Sequence, residues 1–358
     1  MNLNGILVVD ASTVLAGPSV GTFLAELGAQ VVKVEHPKHK DVTRSWKLPS
    51  EDSSSSVSAY FSSINYKKDY QSIDLKSENG RSQFLGLIER ADILITNFKK
   101  GDAEKFKIED ERLLELNPRL IHGKINGYGE ESDRVAYDLI LQAESGFMSI
   151  NGTPESGPVK MPVALIDVLA AHHLKEAILL ALYNREKTGK GIALSVSLYE
   201  AAVSSLVNQA SNYLMTGQVP QRIGSLHPNI APYGELFETK DGVTITLAIG
   251  SNTHFERLCE VLGMDQFAQD ERFDSVQQRV INRGKLYELL IEVIKNLESA
   301  ELIQSLRELN VPAGAVLSID QVMQSELSQS LIREELIDEM ETKRISSVVI
   351  KSNGNPIT

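Results

Sequence analysis

The sequence predicts an α/β protein in which a doubly wound, Rossmann-like parallel-sheet domain is followed by a smaller α+β domain. Three observations carry this. Short apolar runs alternate with helical segments four times in the first third of the chain, as βα units feeding a parallel sheet do. Residues 217–227, GQVPQRIGSLH, then break the pattern as a polar linker, and a hairpin turn at Asp241-Gly242 lies beyond it. With 358 residues the chain also exceeds what one core usually serves. Residues 1–200, completed by 325–358, are assigned to the large domain, 201–222 to a helix and linker, and 223–324 to the small domain.

Residues 5–11, GILVVDA, read as a buried strand. A turn follows, and Pro18 suits the first turn of a helix that Gly28 stops. QVVKVE at 30–35 is a second buried strand, so the chain opens with a right-handed β–α–β unit. Gly17 and Gly21 occupy the first turn, but there is no G-x-G-x-x-G; this argues against a nicotinamide cofactor and leaves Glu35 as a structural charge. Residues 41–58 read as an exposed serine-rich loop with a mobile centre. Strands are expected near 72–75, 92–96 and 120–125, with helices over 80–90 and 110–116. The pairs Lys67/Lys68 and Lys99/Lys100 are placed in loops after strands, at one edge of the sheet. Two such pairs in an acidic chain point to a phosphate site.

The stretch 161–201 is the most informative. Asp167 stands inside the apolar run Pro162-Val163-Ala164-Leu165-Ile166, which reads as a strand, and a buried helix to Thr188-Gly189 follows. Residues 192–198 alternate as a further strand. An aspartate before a helix is a good N-cap, kept ionised by the free amides. A fixed carboxylate in apolar surroundings is also what nucleophilic attack on an acyl group requires. Position alone leaves both roles open.

Other chemistries find little support. A net charge of −12 argues against nucleic acid or an anionic membrane as the main partner. Cys259 is the only cysteine, which excludes an intramolecular disulfide and a cysteine metal site. No signal peptide and no membrane-length apolar run is recognised, so a cytoplasmic location is expected. His172 and His173 diverge on a helix and lack a third ligand, so no metal is expected. Ser195 and Ser197 lack a G-x-S-x-G context.

Taken in order, Val14-Leu15-Ala16-Gly17-Pro18, Asn65 with Lys67, Asn97-Phe98 and Tyr137-Asp138 form a pattern with Asp167. Arg185-x-x-Thr188-Gly189-Lys190-Gly191, His227-Pro228-Asn229, Pro232-Tyr233-Gly234 and Val311-Pro312-Ala313-Gly314 extend it along nearly the whole chain. This pattern resembles the family III CoA-transferases, the CaiB–BaiF group that includes formyl-CoA transferase and, as relatives, α-methylacyl-CoA racemases. The resemblance implies Asp167 as the catalytic residue, passing CoA from an acyl-CoA to a carboxylic acid through an aspartyl anhydride and an aspartyl-CoA thioester. It implies CoA contacts at Ala16, His36, Asn65, Lys67, Asn97, Phe98, Lys99 and Lys105. Substrate contacts would fall at Leu15, Tyr137, Asp138, Gly224 and His227. It also implies an interlocked homodimer, small acids and CoA esters as the partners, and CoA thioester as substrate with no permanently bound cofactor.

The chain departs from the family at several points. His36 replaces an arginine, residues 224–229 replace the glycine-run loop of formyl-CoA transferase, and the family's Gly-Glu-His-Thr motif is not found before Thr358. Tyr137 stands where racemases place a histidine, which favours transfer over α-proton chemistry. The alternatives are racemisation or epimerisation of 2-methylacyl-CoA thioesters, and CoA-ester binding without turnover.

Overall fold

A computed structural model describes residues 2–357. The chain forms two compact units: residues 1–149, 160–220 and 326–358 make the first, and 150–159 with 221–325 the second. The short segment 150–159, assigned from sequence to the large domain, thus packs with the second unit.

The first unit is built on six parallel strands: β1 (Leu7–Asp10), β2 (Gln30–Glu35), β3 (Lys68–Ser72), β4 (Ile93–Thr96), β5 (Ile121–Asn126) and β6 (Ile192–Ser197). Their order is β3-β2-β1-β4-β5-β6. Helices α1 (Ala16–Glu26), α2 (Ala59–Ser63), α3 (Glu78–Ile88), α4 (Asp102–Phe106) and α5 (Asp110–Leu116) connect the earlier strands. Between β5 and β6 come α6 (Asp138–Glu144), α7 (Phe147–Ile150) and the long α8 (Leu165–Thr188). The pleat explains the two-sided burial. Val8, Ile93 and Ile95 face α1 and α8, beside Val20, Leu24, Leu174 and Ile178. Their neighbours Val9 and Leu94 face the opposite side, beside Phe84, Ile88 and Leu113. With both faces covered by helices, the strands read as continuous apolar runs.

Several local expectations are corrected. β3 begins at Lys68, four residues earlier than expected, so Lys67 lies at the amino end of its strand and Lys99 past the carboxyl end of β4. Because the strands are parallel, the two lysine pairs sit at opposite edges, and they make no joint phosphate site. Residues 161–164 form no strand. The loop 41–58 is anchored: Asp41, Thr43, Arg44, Val57 and Ser58 are buried, and Arg44 grips Glu35 at 2.7 Å. Glu26 of α1 accepts hydrogen bonds from Arg344, Ser346 and the backbone of Ser347 and Val348, which fastens the tail to this unit.

In the second unit an antiparallel sheet of β7 (Tyr233–Glu238), β8 (Thr244–Ala248) and β9 (Ala313–Ala315) packs Phe237, Ile245 and Leu247 against Phe255, Phe273 and Leu290. Among the described residues no helix is long and apolar enough to cross a membrane.

Candidate active site

The strand order reverses between β1 and β4, and in open parallel sheets ligands bind beyond the carboxyl ends of strands at such a point. Asn97, leaving β4, ties the two loops: its Oδ1 accepts the Thr13 N–H at 3.0 Å and its Nδ2 donates to the Thr13 carbonyl at 2.8 Å. The next residue, Val14, has φ of 71°, a left-handed conformation that costs a β-branched residue about 1–3 kcal/mol. The buried carboxylate of Asp41 accepts its N–H at 3.1 Å and holds the turn. Gly17 is required here because a Cβ would lie 2.3 Å from the Ser12 hydroxyl.

Beneath this turn lies a fully buried ionic cluster. Lys33 is 3.6 Å from Asp10 and 3.7 Å from Asp41, and Lys68 is 2.8 Å from Asp10. Lys68 also donates to the carbonyls of Pro18 and Ile64 and to Asn65 Oδ1. Burial works against ionised Asp10, but Lys33 and Lys68 more than offset it and bring its pKa down to about 2. Burial lowers Lys68 to about 8 despite its aspartate partner.

Asp167 has a different environment. It is the third residue of α8 rather than its cap, which is Ala164. Helix α8 leads into β6, which runs parallel to β5, so its first turn lies toward the carboxyl edge of the sheet. Asp167 is 8% exposed, and among the described residues it accepts no hydrogen bond. Burial, and then the charge of Asp138, raise its pKa to about 7. This corrects the expectation of a carboxylate kept ionised by helix amides. The free amide of Ile166 donates instead to Asp138 Oδ1 at 2.8 Å, and Asp138 Oδ2 accepts from Gln142 Nε2 at 2.6 Å. Tyr60 of α2 completes this patch. Burial first, then the charges of Asp167, Asp138 and Asp41, push its hydroxyl up to about 12. Trp46 packs edge-on against the Tyr60 ring. At neutral pH the Asp167 carboxyl is therefore part ionised, scarcely solvated and free of competing donors, which suits attack on an acyl carbon.

The remaining sequence-predicted residues divide. Leu15 and Ala16 open α1, beside the Val14 turn. Phe98 packs on Phe106, Lys105 lies near the Phe106 ring, and Lys99 is exposed. Lys67 is exposed, and its N–H donates to Glu335. His36 accepts the Lys38 and His39 N–H groups and lies 3.5 Å from Asp74. Asn65 is a correction: it is fully buried, and its amide bonds Lys68 and the Phe61 carbonyl, which leaves no side-chain contact for a ligand. Tyr137 is half-exposed immediately before α6. Gly224 and His227 belong to the second unit, where the His227 ring packs at a tilt against Tyr233. Sequence reasoning missed Tyr60, Asp41 and Gln142. Only Gln142 had a signal, four residues from Asp138 on one helical face. Among the described residues no group of three His, Cys, Asp or Glu side chains could hold a metal ion.

The model of CoA-transferase family III matches residues 3–358. The chain belongs to this family. A succinate–glutarate CoA-transferase of Agrobacterium fabrum is 37% identical over 89% of this chain and 81% of its own length. An acetyl-CoA:oxalate CoA-transferase of Acetobacter aceti is 33% identical over 99% and 88%. The crystal structure of a CaiB/BaiF family protein from Brucella suis superposes with a TM-score of 0.82 at 34% identity, covering 99% of this chain and 93% of the other. The protein is a CoA-transferase, and CoA thioesters are its substrates rather than a resident cofactor.

Proposed function

We propose that the protein moves CoA between carboxylic acids by covalent catalysis on Asp167. The observation that carries this is a buried carboxyl without hydrogen-bond donors among the described residues, held near pKa 7 at the carboxyl edge of the sheet. Ionised Asp167 attacks the donor's thioester carbonyl and expels CoA thiolate, leaving a mixed anhydride. The thiolate then attacks the aspartyl carbonyl, releases the donor carboxylate and forms an aspartyl-CoA thioester. The acceptor carboxylate attacks that carbonyl and frees the thiolate again. Attack of the thiolate on the acceptor's acyl carbon then yields the new thioester and restores Asp167. Every intermediate is prone to hydrolysis, which is the physical reason for the apolar surroundings of Asp167.

The Val14–Ala16 turn, with Lys99 beyond β4 and Lys105 in the last turn of α4, is the proposed CoA contact, and Tyr60, Tyr137 and Asp138 the proposed acyl wall. Dicarboxylates are the first acceptors to test, because the relatives' names include glutarate and oxalate. The exposed apolar side chains Leu180, Tyr183, Leu214 and Met215 support the expected homodimer, to be read by sedimentation.

The test is mass spectrometry of CoA esters after mixing succinyl-CoA, a 2-methylacyl-CoA and a pool of carboxylates with enzyme in deuterated water. New CoA esters that vanish in Asp167→Ala support the reading, and transfer retained in Asp167→Ala overturns it. A second reading, epimerisation, draws on the same carboxyl, since a group near pKa 7 can both take and return a proton. Deuterium on the α-carbon of an unchanged ester would select it.

A further inference from the structure

We propose that Gln142 is a positioning residue for the transfer reaction: its buried amide clasps Asp138 and the chain entering α8, and so sets Asp138 against the turn that carries Asp167. The inference rests on the reading of Asp167 as the nucleophile.

Gln142 is 1% exposed and lies one helical turn beyond Asp138 on α6. Its Nε2 donates to Asp138 Oδ2 at 2.6 Å and faces the carbonyls of Met161 at 3.3 Å and Val163 at 3.5 Å. Its Oε1 accepts the Met161 N–H at 2.8 Å. The entering segment is itself tied to the helix, because the Leu165 N–H donates to the Val163 carbonyl. The second oxygen of Asp138 takes the Ile166 N–H, the residue next to Asp167. Amide and carboxylate thus form a two-part clasp, with Gln142 on the incoming chain and Asp138 on the first turn of α8.

Glutamine is specified by this geometry. The site needs one group that donates to an anion and accepts an N–H at the same time; glutamate lacks the donor, and asparagine is one methylene short. Among the described residues Asp167 has no hydrogen-bond partner, so its place and charge state depend on the helix turn and on Asp138. The other group close enough to interact with it is the Tyr60 hydroxyl, on α2, which is raised by burial and by the charges of Asp167, Asp138 and Asp41. It supplies no cation that could substitute for the clasp.

The test uses the full chain with Gln142→Met, Asp138→Asn and the double variant. Infrared titration of the carboxyl region, with Asp167→Asn as the subtraction, reads the midpoint of Asp167 without acyl transfer. Gln142→Met should shift that midpoint downward, toward its value in Asp138→Asn, because the released Asp138 no longer holds its charge at the helix turn. In the assay with succinyl-CoA and glutarate, kcat should fall about 10–100-fold, with KM for the CoA ester within about threefold. Gln142→Met should cost less in the Asp138→Asn background than alone, since only its bonds to Met161 and Val163 are then left to lose. An unchanged midpoint, or a full additional loss in the double variant, overturns the proposal. Should Gln142→Met fail to fold, Gln142→Leu serves, with the same downward shift of the Asp167 midpoint expected and an unchanged midpoint overturning the proposal. If Asp167→Ala retains transfer, the nucleophile reading fails, while the infrared midpoints still decide the clasp.

Discussion

Two groups of buried acids in the first unit show opposite behaviour. Under the Val14 turn, Asp10 and Asp41 share the interior with Lys33 and Lys68, and Asp10 is brought down to about 2. At the start of α8, Asp167 has Asp138 as its charged neighbour and rises to about 7. Burial alone pushes both carboxyls up. The difference is the sign of the adjacent charge, and it separates a foundation from a reactive group: paired charges lock a strained turn, whereas an unpaired one retains its reactivity.

The contrast can be broken at either end. The largest effect on stability is expected from Asp10→Asn, which strips two buried ammonium groups of their shared partner. A loss of about 3–5 kcal/mol should appear in denaturant unfolding. Next is Asp167→Asn. Asp167 titrates near 7 in the folded chain against an ordinary 3.8, so folding takes up a proton between those values and stability falls as pH rises from about 4 to about 7. The asparagine variant escapes this cost. It should be more stable than the parent by on the order of 2–4 kcal/mol at pH 8, and the gap should close near pH 4. Asp138→Asn removes the like charge, so the acid limb of the kcat/KM profile should move down by roughly one pH unit, since burial still acts on Asp167. The smallest effect belongs to Lys100→Ala. Its pair with Glu131 at 3.1 Å is exposed, and thermal melts should show less than about 1 kcal/mol.

The alternating core was legible because a sheet covered on both faces demands apolar runs at β1, β2, β4 and β5, and these appear in the sequence as such. β3 was misplaced because Lys68, buried against Asp10, reads as a loop residue when its partner is 58 positions away. The same misreading put the two lysine pairs at one edge. Asp167 stood out through its apolar neighbours, but its protonation was read with the wrong sign. An aspartate at a helix start is normally capped by amides, and here Asp138 takes the Ile166 amide.

The sequence by itself determined the sheet-and-helix plan, the family and the position of the one acidic residue in the apolar stretch, since local periodicity and ordered motifs carry these. Tertiary structure alone decided which buried charges are paired, which turn is strained and which carboxyl stays partly protonated. Those properties depend on Coulomb interactions and desolvation between groups far apart in the chain, and no local pattern encodes their distances.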